Sequence, residues 1–239
     1  MASSVQAEPP RHSLVVRVAH WLTTLLFLAL LISGVEIVIS HPRFYWGETG
    51  NVNVTPLFSI PIPASRAAVP TGYAYVLKDQ NGWSRYLHFQ AGWFLVFTGL
   101  LYGLASLFNG HFRNHLLPVR KDLAWRALSR SLREHLGFQP SATSSYNLLQ
   151  RLAYLGVVFL IFPLMIWTGL AMSPSFTSAF PATVTMLGGQ QSARTFHFFC
   201  TVILVIFVLV HVLMVYLSGF RSRVRAMTLG PKTIETENV

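Results

Sequence analysis

The chain has 239 residues and a formal charge of +10, and it is 52% hydrophobic with 11% charged residues, where soluble domains average about 25% charged. That balance argues for a membrane setting. The single cysteine, Cys200, excludes an intrachain disulfide, a covalent C-x-x-C-H haem and an iron–sulfur cluster. No Rossmann fingerprint or P-loop pattern supports flavin, nicotinamide or ATP chemistry within the chain.

Four apolar runs are long enough to cross a bilayer as helices, which takes roughly 20 residues. They predict spans at about 20–40, 85–108, 147–172 and 194–220. The expected fold is an all-α membrane protein. It is a four-helix transmembrane bundle over residues 1–225, followed by a polar cytoplasmic tail at 226–239. Span one opens with Arg17 and His20 and carries Gly34 and Glu36 toward its far end. It lacks a small-residue cleavage site and exceeds the apolar core of a signal peptide, so it reads as a retained helix.

The connection from Ser40 to Gly82 is long and proline-rich, and carries Phe44, Tyr45, Trp46, Phe58, Tyr73 and Tyr75. Long connections in compact proteins are usually functional or disordered, and so many aromatics predict an ordered cap. Span two begins with Arg85 and His88 and contains Gly99 and Gly103. The segment Asn109–Ser144, with DLAWRALSRSLREHLGF at its centre, reads as a basic amphipathic helix lying on the membrane face. Span three contains Gly156 and Gly169, and span four contains Arg194, His197, Cys200 and His211. Cys200 reads as a small packing residue.

Basic residues set the orientation. Twelve fall in the N-terminal arm, in the connection between spans two and three, and after span four; only Arg43, Arg66 and Lys78 lie in the connection between spans one and two. The positive-inside rule then places both termini in the cytoplasm, as expected of a multi-pass plasma-membrane protein. The net charge is thereby a topology signal, with attraction to anionic lipid headgroups as a secondary effect. A basic nucleic-acid surface is the competing reading, and no nucleic-acid partner is expected.

His197 and His211 are fourteen residues apart in one apolar run. Fourteen helical residues rise about 21 Å and return to nearly the same face. Ionisable side chains inside a membrane are functional candidates by default. With the topology above, His20 and His211 share the inner depth, and His88 and His197 share the outer depth. Two matched imidazole pairs are what two b-type haems need as axial ligands. Taken singly, His20 or His88 also reads as an interfacial residue, whereas His211 in FVLVHVLMV has no polar companion. His12, His41, His111, His115 and His135 read as solvated surface residues.

Two weaker patterns accompany the histidines. Gly34 lies fourteen residues after His20, level with the outer pair, and Gly99, Gly103, Gly156 and Gly169 fall near one pair or the other. Such positions let a flat ring approach the backbone, although small residues also let membrane helices pack. Arg17, Arg85 and Arg194 each precede a histidine by three residues, hence share its helix face. Guanidinium groups there suit haem propionates; interfacial anchoring is the alternative.

RVAHW opening span one, ISGVEIVISHPRFYWG leaving it, RYLHFQAGW entering span two and RTFH…LVH on span four together resemble the bacterial cytochrome b561 and nickel–iron-hydrogenase-type cytochrome b superfamily. HPRFYWG is most similar to thiosulfate-reductase-type cytochrome b subunits. The resemblance covers roughly residues 11–225. It implies that His20, His88, His197 and His211 bind two b haems. It also implies a membrane anchor exchanging electrons between a quinone and a catalytic oxidoreductase subunit, often a molybdenum enzyme or a hydrogenase. The outer connection is longer than in the shortest family members. Two other functions stay open: a stand-alone superoxide–quinone oxidoreductase on the same scaffold, and a haem-free transporter or assembly subunit.

Overall fold

A computed structural model of the chain describes residues 13–51, 53–62, 82–108 and 148–230. The amphipathic segment expected at 109–144, Tyr73, Tyr75 and the final nine residues lie outside the described residues.

The architecture is helical. Helix α1 spans Leu14–Ser40, and a short antiparallel pair, β1 (Arg43–Phe44) and β2 (Phe58–Ser59), follows it. Helix α2 runs Gly82–Phe108. The third span is α3 (Leu148–Gly156), a π-helical turn at Val157–Ile161, and α4 (Phe162–Ala171). Two short helices, α5 (Pro174–Ala179) and α6 (Ala182–Thr185), lead to α7 (Gln190–Leu217), and α8 covers Phe220–Thr228. Four helical stretches are long and apolar enough to cross a membrane: Leu14–Ser40, Gly82–Ala105, Leu152–Ala171 and Gln190–Leu217. The expected class, an all-α membrane protein with four spans, is the one observed.

Local chemistry explains the boundaries. Ser13 stands before α1, and its Oγ accepts from the Val16 amide at 3.4 Å, the position of a helix N-cap. The π-turn sits just ahead of Pro163. Proline lacks an N–H and crowds the carbonyl four residues earlier, so the ladder widens there. Helix α7 ends at Leu217 because Gly219 takes φ 97°, a left-handed conformation natural to glycine. The chain stays helical to Thr228, past the expected start of the polar tail, and Ala226 is buried.

The chain divides into two compact units. One comprises residues 1–21, 101–157 and 206–239. Within it the last turn of α8 offers carbonyls that no longer have helical partners. The Trp21 indole N–H donates to the Met227 carbonyl at 3.1 Å, and an Arg17 N–H donates to the Thr228 carbonyl at 3.0 Å.

The second unit comprises residues 22–100 and 158–205. Its connection between spans one and two forms an ordered cap, as far as it is described, on the N-terminal end of α7. The Gly47 carbonyl accepts from the amides of Gln191 (3.0 Å) and Ser192 (3.2 Å). Gly47 N–H donates to Ser192 Oγ at 2.8 Å, and a Glu48 carboxylate oxygen accepts from the Gln190 amide at 3.1 Å. Those are orphan donors of a helix start, where a carboxylate is also favoured by the helix dipole. Thr195 donates to the Tyr45 carbonyl at 2.8 Å. Phe44, 1% exposed, stacks on Phe58 at 4.7 Å and meets Phe198 at 4.5 Å between centroids. Side chains such as Leu25, Ile32, Phe94 and Leu209 are exposed, as suits helices whose outward faces meet lipid.

Candidate functional site

The structure brings the four span histidines together in two pairs, one in each unit. In the second unit, His88 of α2 faces His197 of α7, with ring centroids 6.1 Å apart and planes 62° apart. In the first, His20 of α1 faces His211 of α7 at 6.3 Å and 50°. A metal–imidazole bond is about 2 Å, and a ring nitrogen lies about 1 Å from its ring centre. Two imidazoles bound to one iron from opposite sides therefore sit about 6 Å apart. Both pairs have that separation. Among the described residues, no three His, Cys, Asp or Glu side chains converge on a point. A porphyrin supplies the iron's other four nitrogens, so two axial ligands suffice, and the donor set fits haem rather than a bare metal ion.

Glycines flank the outer pair. A methyl group added at Gly34 would stand 3.4 Å from His88 Cε1, and one added at Gly169 would stand 3.6 Å from His197 Cε1. Both are ordinary van der Waals separations, so each glycine lies close beside an imidazole of the outer pair. Methyl groups at Gly99, Gly103 and Gly156 would meet nothing within 4 Å among the described residues, so packing among those residues does not require glycine there.

Beside each of those two glycines is a hydroxyl that sequence reasoning overlooked. Ser33 Oγ lies 3.0 Å from His88 Nδ1, and Thr168 Oγ1 lies 2.9 Å from His197 Nδ1. Both residues are 0% exposed. The available signal was a hydroxyl–glycine dipeptide, Ser33–Gly34 in span one and Thr168–Gly169 in span three. In the first unit the surroundings differ. Tyr154 Oη lies 3.4 Å from His211 Nδ1, Phe207 stacks on His211 at 6.0 Å, and Trp21 meets His20 edge-on at 5.3 Å.

The three arginines have separate circumstances. Arg194 donates to the His41 carbonyl, and its guanidinium stands 4.9 Å from the centre of the Phe44 ring, a cation–π contact holding the cap. Arg85 is exposed, yet near enough to Arg194 for the two charges to repel. Two cations held together suit an anion between them. Arg17 spends one nitrogen on Thr228, while its buried Nε has no hydrogen-bond partner among the described residues. A buried, unsatisfied donor of this kind costs about 1–3 kcal/mol and fits an anionic group such as a propionate.

Four apolar helices with histidines meeting in pairs define a class of protein, the membrane-embedded helical proteins built around a flat prosthetic group. The chain belongs to the prokaryotic cytochrome b561 family, whose sequence model matches residues 11–230. It is accordingly a multi-pass bacterial membrane protein that binds b-type haem and works in electron transport. It is also 32% identical over 204 residues to a protein of Azospira oryzae bearing the provisional name protein-methionine-sulfoxide reductase subunit YedZ1. That match covers 84% of this chain and 88% of the relative.

Proposed function

We propose that the chain is the di-haem membrane subunit of an oxidoreductase, carrying electrons between the quinone pool and a catalytic partner subunit. The observation that supports it most is the pair of facing imidazole couples, each about 6 Å between ring centres. A b haem held by two imidazoles supplies one-electron transfer without an open coordination position. His88 and His197 would hold one such group, and His20 and His211 the other. Arg85 and Arg194 would neutralise propionates at the outer pair, with Arg17 serving the inner pair. Phe44, Phe58 and Phe198 pack together beside the N-terminal part of α7, the helix that carries His197.

A quinol gives up two electrons and two protons on oxidation, so the relay turns twice per quinol and the protons leave at the face where quinol binds. His197 and His211 lie fourteen residues apart on a single helix, which suits a relay running along that helix. The Azospira relative is named as a subunit of a reductase. Similarity to it supports a partner that receives electrons from this chain and reduces a substrate outside it.

The test is anaerobic mixing of the purified protein with a short-chain quinol, following the b-haem absorption bands. Reduction within the mixing experiment is the expected outcome. Haem that dithionite reduces and no quinol reduces would remove the quinone link.

A further inference from the structure

Two hydroxyls occupy equivalent places in different spans. Ser33 is followed by Gly34 on α1, and Thr168 is followed by Gly169 on α4. Each hydroxyl touches Nδ1 of a histidine on another helix, and a methyl group added at each glycine would come into van der Waals range of Cε1 of that same ring. Two side chains on two helices thus meet one recurring cradle, consisting of a hydrogen-bonding group and an adjacent flat space.

The hydrogen bonding within the cradle has a direction. A serine or threonine hydroxyl has one proton to donate. That of Ser33 goes to the helix's own carbonyls, Ala29 at 2.7 Å and Leu30 at 3.2 Å. That of Thr168 goes likewise to Leu164 at 2.8 Å and Met165 at 3.0 Å. With their protons committed, both oxygens can only accept, so Nδ1–H of each imidazole must donate. A neutral imidazole carrying its proton on Nδ1 keeps its lone pair on Nε2.

We propose that Ser33 with Gly34, and Thr168 with Gly169, form a repeated positioning device that fixes His88 and His197 as the Nδ1–H tautomer and turns Nε2 toward the haem iron. The proposal rests on the reading of these two histidines as axial ligands. Ser33 and Thr168 are positioning residues: they act through the imidazoles. Outer-shell partners of metal-bound histidines set ring orientation and raise ligand basicity. Removing the acceptors makes the imidazoles poorer electron donors, which disfavours the ferric state and raises the potential.

The experiment compares Ser33→Ala, Thr168→Val and the double variant with Thr168→Ser, all as full-length protein in detergent. Redox titration and low-temperature EPR give the readout, neither of which depends on turnover. The expected result is an upward shift in the potential of one b haem, with a change in its low-spin g-anisotropy as the ring is freed to rotate. The other haem stays where it was, and Thr168→Ser behaves as the unmodified protein. In haem-free protein, nitrogen NMR of labelled histidine should show His88 and His197 as Nδ1–H tautomers, with that bias lost in the matching variants. Unchanged potentials, g-values and tautomers in the double variant would overturn the proposal, as would equal changes in both haem signals. A colourless unmodified protein would instead overturn the ligand reading beneath it.

Discussion

Gly189→Ala is a severe test of how the cap is held. Gly189 has φ 115°, and a methyl group there would lie 2.5 Å from the carbonyl carbon and oxygen of Gly47 and 2.6 Å from the Glu48 nitrogen. All three are backbone atoms, so no rotamer change relieves the overlap. Placing a side chain in this region of φ costs about 1–3 kcal/mol by itself. Moving Gly47 away also strains the bonds to Gln191, Ser192 and Gln190 described above, each worth about 0.5–1.5 kcal/mol. Together these give roughly 3–9 kcal/mol of local destabilisation before the loop shifts, and shifting brings the value toward the lower end. Hydrogen exchange of the Gln191 and Ser192 amides, followed by mass spectrometry of the detergent-solubilised protein, reads this directly. At 1.4 kcal/mol per tenfold, protection should fall by about two orders of magnitude or more. Gly188→Asn is the control. Its φ of 79° suits asparagine, and the nearest atom to an added methyl is Ser192 Oγ at 3.6 Å, so protection should fall by less than about tenfold. Equal exchange in the two variants would refute the claim that the Gly47–Gly189 contact anchors the cap.

Three further outcomes follow from the same geometry. His211→Ala should lose one haem and retain the other, as measured by pyridine haemochrome per polypeptide; retention of both would defeat the inner pairing. Gly34→Leu sets a bulky side chain beside the His88 ring, where a methyl group alone would already lie 3.4 Å from Cε1, so the outer haem should be lost while the inner signal persists in EPR. Phe44→Ala removes a side chain that is 1% exposed, and should destabilise the cap by about 3–5 kcal/mol. The Leu57 amide, bonded to the Phe44 carbonyl at 2.7 Å, reports it by faster exchange, and an unaltered rate counts against the cap's aromatic core.

Much of this architecture is legible in the residues because a membrane imposes simple constraints. Unbroken apolar length marks the four spans, and matching depths pair His88 with His197 on spans of the same direction and His20 with His211 on spans of opposite direction. Helix ends are harder to read. Helix α1 begins at Leu14, earlier than its apolar run implies, and Arg17 in its second turn is held by the carbonyl of Thr228. The polar stretch of α8 gives no apolar signal, yet it is helical and supplies that carbonyl. Ser33 and Thr168 escaped notice since, in an apolar helix, a small hydroxyl residue looks like a packing residue whose proton returns to its own backbone. Its spare lone pair matters only once another helix delivers an imidazole. Glycine carried a similar ambiguity. A methyl group added at Gly34 or Gly169 would meet a histidine ring, whereas one added at Gly99, Gly103 or Gly156 would meet nothing within 4 Å among the described residues, and spacing alone does not separate the two groups.

The central claim is that four histidines make two haem sites. The most direct test is haem content per polypeptide, measured with a reduced-minus-oxidised spectrum on protein purified in mild detergent from haem-replete cells. The account predicts two b haems per chain, both low-spin and six-coordinate. A single haem would mean that one of the imidazole pairs serves another purpose, and a high-spin spectrum would contradict bis-histidine ligation.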